Sequence, residues 1–131
     1  METIWIIGAG TFGLRAATLL TDQGSRYGVT LVDQDRAALD RAKDLGCDIE
    51  MGDGIDFLRA QLTPNDGPDW IVPAVPVHLA WEWCTRVCLG LNPTQVPPGL
   101  DIKLPNFMTG NNGDIYTSHA DFICPDRKSV V

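Results

Sequence analysis

The chain has 131 residues, 44% hydrophobic and 21% charged, with 10 Lys+Arg against 17 Asp+Glu and a formal net charge of −7. This is one domain's worth of sequence with a globular balance, which excludes disordered, collagen-like and low-complexity classes. A sequence pI near 4.5 supplies no basic stripe for a nucleic-acid backbone or an anionic membrane surface; a single small anion held by backbone amides is compatible with it.

The longest uncharged apolar stretch, residues 70–81, contains Pro73, Pro76 and His78 and falls short of the ~18–20 residues that a spanning helix needs. No Lys or Arg precedes the first apolar run, so the N-terminus does not read as a secretory signal and the expected compartment is the cytoplasm. There the four cysteines, Cys47, Cys84, Cys88 and Cys124, are expected to be reduced.

Residues 3–7 (Thr-Ile-Trp-Ile-Ile) carry no charge and predict a strand covered on both faces. A helix follows over 11–23, with Phe12, Ala16, Leu19 and Leu20 recurring at helical spacing and Gly24 ending it. Residues 28–33 predict a second strand that ends on Asp33, 37–45 a helix stopped by Gly46, and 47–51 a short third strand. A helix over 55–62 precedes the turn cluster at 63–68, Thr-Pro-Asn-Asp-Gly-Pro. A fourth strand over 69–75 leads through Pro76, tolerated in a first helical turn, into a helix over 77–91. Strands alternating with helices at this spacing predict a Rossmann-like, doubly wound α/β domain with a mainly parallel sheet. One domain over 1–131 is expected, its core in 1–91. Beyond Leu91, Pro93, Pro97, Pro98, Pro105 and Pro125 break the chain into an irregular completion, with short edge strands expected within 101–104 and 115–123. The polar run 106–114 reads as a hairpin tip in which Asn112-Gly113 suits a type I′ turn.

Gly8-Ala9-Gly10-Thr11-Phe12-Gly13 fits G-x-G-x-x-G, directly after the first strand and opening the first helix, with Asp33 following 20 residues after Gly13. In that context the string is a dinucleotide fingerprint. Gly8 permits the tight turn, Gly10 lets a pyrophosphate approach the backbone, and Gly13 lets the helix pack close to the strand. Thr11 and Phe12 complete the loop at the helix start, where free amides and the helix dipole favour an anion. Asp33 would accept from adenosine ribose hydroxyls and repel a 2′-phosphate, which points to NAD(H) in preference to NADP(H), with Arg36 the nearby cation. AMP, ATP or S-adenosylmethionine in a related loop stay open, and so does a strand–turn–helix whose glycines serve packing alone.

These residues resemble the TrkA-type N-terminal, or RCK, domains, which regulate potassium transporters and channels by binding nicotinamide or adenine nucleotides. The resemblance runs over about residues 3–83: Ile-Ile-Gly-Ala-Gly-Thr-Phe-Gly, then Leu-Val-Asp-Gln-Asp, then Gly52-Asp53-Gly54-Ile55-Asp56, then Asp69-Trp-Ile-Val. It implies that Asp53 lies beside the adenine and accepts from its amino group; the alternative is an N-cap for the following helix, and one side chain can do both. After the fourth strand the chain departs from that pattern. Its Ala74-Val75-Pro76-Val77-His78 is similar to prephenate-type nicotinamide dehydrogenases, which makes a small NAD-dependent oxidoreductase the alternative to a regulatory or sensing module. In that alternative His78 is the candidate acid or base; its other reading is a helix-start histidine bonded to backbone. Dehydrogenases generally add a substrate domain that the residues after Leu91 are too few to build, and a shortened relative that keeps the fold alone is a third reading.

No metal is expected. Cys84 and Cys88, four apart in an apolar helix, lack the paired knuckles of a zinc site and read as small buried thiols, and Cys124-Pro125 is the more suggestive ligand position. Trp81, Glu82 and Trp83 are adjacent and cannot all face the core, so one tryptophan is expected at the surface, favouring a homodimer or a partner subunit.

Overall fold

Alternation along the first strand dictates the architecture. In β1 (Glu2–Ile7) successive side chains point to opposite faces, and both faces are apolar: Ile4 and Ile6 enter one buried cluster, Ile7 and Trp5 the other. The computed structural model describes residues 1–100, 103–111 and 113–119. The chain divides into two units, Met1–Leu91 and Asn92–Val131.

In the first unit β1 pairs in parallel with β2 (Tyr27–Asp33) on one side and with β4 (Trp70–Pro73) on the other, and β2 pairs in parallel with β3 (Asp48–Met51). The order β3-β2-β1-β4 means that the chain runs outward for two strands, then returns to the far side of β1. Ile4, Ile6, Val29 and Leu31 meet α1 (Thr11–Thr21) and α2 (Arg36–Asp40) through Ala17, Ala38 and Leu39. On the opposite face Ile7 and Val32 meet α3 (Gly54–Gln61) and α4 (Leu79–Val87) through Ile55, Leu58 and Leu79. The Trp5 and Phe57 rings pack edge to face there at 4.9 Å. Helices on both faces of a parallel sheet whose strand order reverses make the expected Rossmann-like, doubly wound fold.

Four expectations need correction. The buried face of α1 starts at Gly13 and Ala17, while Phe12 and Leu19 are 75% and 58% exposed; the helix leans on the strand through its glycine, which turns Phe12 outward. The helix expected over 37–45 divides into α2 and a 3-10 turn, Lys43–Leu45, because the Ala42 amide donates to the Leu39 carbonyl three residues back. Gly46, with φ of +73°, then ends it. The helix expected over 77–91 begins only at Leu79, because His78 caps it, and ends at Cys88, whose backbone is extended. Cys88 is consequently exposed and Cys84 half-buried, so the pair does not make buried thiols. Cys47 is also half-buried, and desolvation pushes its thiol pKa up. As expected of adjacent helical tryptophans, Trp83 packs on the core while Trp81 is 38% exposed.

In the second unit β5 (Met108–Thr109) and β6 (Ile115–Tyr116) form an antiparallel hairpin. A hairpin is present where the polar run predicts its tip, closed by the Gly110 amide donating to the Asp114 carbonyl at 2.8 Å; the turn bond runs from the Gly113 amide to the Gly110 carbonyl, so Gly113, at φ of +86°, ends the turn instead of sharing its centre with Asn112, which lies outside the described residues. β6 belongs to this two-stranded sheet and not to an edge of the parallel one. Residues 103–104 carry no strand, and 101–102, 120–123 and Cys124-Pro125 lie outside the described residues.

Candidate functional site

Parallel pairing carries the carboxyl ends of all four strands to one edge, and the ladder continues past them into the loops. Gly8 N donates to Val32 O, Gly52 N to Asp33 O and Ala74 N to Ile7 O, at 2.8, 3.0 and 2.8 Å. Between these loops and α4 lies a cleft of ≈ 370 Å³, at the point where the strand order reverses and ligands of such sheets bind. Gly8, Asp33, Asp53, Val75, Glu82 and Arg86 are among its walls.

The glycines divide their tasks as the motif requires. Gly8 has φ of +107°, and a Cβ there would sit 2.6 Å from the Ala74 carbonyl oxygen; a Cβ on Gly13 would collide with the Gly8 carbonyl oxygen. Gly10 differs, since a Cβ there meets nothing within 4 Å. Close packing therefore explains Gly8 and Gly13 but not Gly10. Thr11 and Phe12 begin α1 at the exposed surface beside it.

Capping separates α1 from the other helices. Asp35 caps α2 through the Ala37 amide, Asp53 caps α3 through the Ile55 and Asp56 amides, and His78 Nδ1 caps α4 through the Trp81 amide. Helix α1 has Gly10 at its N-cap, with no capping side chain and no acid in its first turn. Its leading amides, and the positive end of its dipole, are left for an anion from outside.

Asp33 stands at the end of β2 and in the cleft wall. Its carboxylate accepts from Ala9 N at 2.6 Å and from Asp35 N at 2.8 Å, tying the glycine loop to the turn after β2. Asp53 accepts from Ile55 N and Asp56 N at 3.0 Å each, so its capping role is realised while it still faces the cleft. His78 is exposed, accepts the Trp81 amide at 3.2 Å and is not among the cleft-lining residues. The structure thus gathers Gly8, Asp33 and Asp53 around one cavity, sets Gly10 to Gly13 at the adjoining loop and helix start, and leaves His78 aside.

Two wall residues escaped the sequence reading. Arg86 reaches from α4 to α3, 2.8 Å from Asp56 and 3.6 Å from Asp53. Glu82 lies four residues before it in the same wall. The available signal was the (i, i+4) pair of opposite charges on the helix after β4, which reads first as a solvated intrahelical bridge. Among the described residues, no group of three His, Cys, Asp or Glu side chains is arranged to hold a metal ion, and no helix is long and apolar enough to cross a membrane.

Two family profiles match the chain. The TrkA-N domain matches residues 4–59, the segment from β1 through most of α3 that holds the glycine loop, Asp33 and Asp53. A family described as "Uncharacterized protein, C-terminal domain" matches residues 77–128. The resemblance drawn from the glycine loop is thus met over the first three βα units, and the second profile begins where the sequence departs from it, after β4. Neither match speaks for the dehydrogenase likeness of residues 74–78. No curated protein matches.

Proposed function

We propose that the first unit binds an adenine dinucleotide, NAD(H) in preference to NADP(H), and that the protein uses this binding in a regulatory or sensing role. The observation that carries the reading is the uncapped start of α1: it follows a glycine whose Cβ would meet open space, beside an acid at the end of β2. An anion-binding loop requires this arrangement, and packing alone does not. The pyrophosphate would lie against the amides at 10–13, the adenosine ribose against Asp33, and the adenine near Asp53. The negative charge of Asp33 disfavours a 2′-phosphate.

A regulatory role is favoured over hydride transfer because His78, the candidate acid or base, spends Nδ1 on the helix cap and stands outside the cleft lining. The exposed Trp70 and Trp81, at 62% and 38%, suit a homodimer or a partner subunit, working in the cytoplasm. The test is a thermal-shift panel with NADH, NADPH, AMP, ATP and S-adenosylmethionine. A ligand at a hundred times its Kd adds about 2.7 kcal/mol to stability, so NADH should raise Tm clearly and NADPH much less. A panel in which S-adenosylmethionine or ATP stabilises and NADH does not would replace the dinucleotide reading.

A further inference from the structure

The walls of the cleft hold three carboxylates, Asp33, Asp53 and Glu82, against one cation, Arg86. Two of the three already have partners within the protein that offset their charge: Asp33 has two backbone amides, and Asp53 has two more and the neighbouring guanidinium. The partner expected for Glu82 is Arg86, one turn further along α4 in the favourable acid-before-base order. Arg86 instead turns across to Asp56 and Asp53. Glu82 is left half-buried in the cleft wall, and among the described residues no cation or hydrogen-bond donor meets its carboxylate. A charge withdrawn partly from water without a partner is costly unless a ligand supplies one.

Position indicates which part of a ligand that is. In a doubly wound sheet a dinucleotide lies across the strand-order reversal, its adenosine half toward β2 and its second half toward the strand on the other side of β1. Here that strand is β4, and the helix following it carries Glu82 beside the apolar Val75, Pro76 and Val77. The nicotinamide ring is cationic when oxidised and uncharged when reduced. We propose that Glu82 makes this cleft selective for the oxidised nicotinamide dinucleotide over the reduced one, so that the module responds to the redox poise of its ligand and not only to its presence. The inference rests on the dinucleotide reading above.

Calorimetric titration at fixed ionic strength with NAD⁺, NADH and ADP-ribose, on the wild type and on Glu82→Gln, tests it. Partly exposed charge pairs of this kind change affinity by up to about fivefold, so the wild type should bind NAD⁺ about three- to fivefold more tightly than NADH. Glu82→Gln should bring NAD⁺ to the affinity of NADH while leaving NADH and ADP-ribose unmoved. Equal or tighter NADH binding by the wild type, which needs no variant, overturns the inference. So does a Glu82→Gln effect of the same size on both redox forms, which would mark a hydroxyl or carboxamide contact. If ADP-ribose and both dinucleotides fail to bind, the dinucleotide reading falls and this inference with it; if ADP-ribose binds and the redox forms are not distinguished, the reading stands and the inference alone is lost.

Discussion

Two glycines of the loop make a paired prediction: an added methyl group costs stability at Gly13 and ligand affinity at Gly10. A methyl group on Gly13 would overlap the Gly8 carbonyl oxygen, and both partners are backbone, so neither can swing away. Relief requires α1 to lift from β1, disturbing its packing through Ala17 against Ile4 and Ile6. Overpacking of this kind costs about 1–3 kcal/mol or more; for a unit the size of Met1–Leu91 each kcal/mol is worth about 4–8 °C. Gly13→Ala should therefore lower Tm by about 4 °C at the least, measured by circular dichroism. At Gly10 a methyl meets nothing within 4 Å, and its φ of −67° suits any residue. Reduced unfolded-state entropy contributes roughly 0.4–1 kcal/mol in favour of alanine, and the poorer N-cap takes back a few tenths to about 1, so Gly10→Ala should melt close to the wild type. Its methyl occupies the space a pyrophosphate would enter, and the same overpacking range applied to the ligand predicts an NADH affinity about 5- to 150-fold weaker. Gly10→Ala with wild-type affinity, or Gly13→Ala with wild-type Tm, would refute the division of labour.

Three further predictions concern single side chains. Asp53→Asn keeps an oxygen to cap α3 and should hold stability within about 0.5 kcal/mol, since asparagine and aspartate cap about equally well; a several-fold loss of NADH affinity at nearly unchanged Tm assigns Asp53 to the ligand, while unchanged affinity restricts it to capping. His78→Ala should leave NADH affinity untouched and cost about 0.5–2 kcal/mol of stability, the range for a lost N-cap; a tenfold affinity loss would return the histidine to the site. Asp69 accepts at one oxygen from the amide and the hydroxyl of Thr3, at 2.7 and 2.9 Å, and the amide bond above all lowers its pKa below the usual aspartate value. A group depressed in the folded state contributes stability above its unfolded pKa of about 3.9, lost as pH falls through the lower folded value. In an acid titration Asp69→Asn should accordingly lose less stability than the wild type below about pH 4, and parallel curves would remove this contact from the acid response.

Much of the fold was legible because its signals are local. The β-branched run at 3–7, the glycine loop and the terminal Asp33 each occupy a few adjacent residues whose backbone requirements are stereochemical, and all three stand where the sequence places them. Boundaries were less legible where a side chain decides them: His78 starts α4 by capping it, and the turn at Lys43–Leu45 depends on a bond three residues long. The facing of α1 is not legible from periodicity, which weights Phe12 and Leu19 as core, whereas the contact that seats the helix is a glycine with no side chain to register. Least legible was the wall of the cleft. Spacing along α4 pairs Glu82 with Arg86; only the approach of α3 shows that the arginine goes to Asp56 and Asp53, which leaves the glutamate unmatched.

The proposed NAD(H) site is the edge of the sheet where the strand order reverses. Calorimetric titration of the wild-type protein with NADH and, under identical conditions, NADPH tests it most directly. Saturable NADH binding at one site per chain is expected, with NADPH binding at least about tenfold weaker, a difference of about 1.4 kcal/mol arising from the 2′-phosphate beside Asp33. Equal affinities would remove Asp33 from the ribose, and the absence of binding by either would remove the nicotinamide dinucleotides as ligands of the loop.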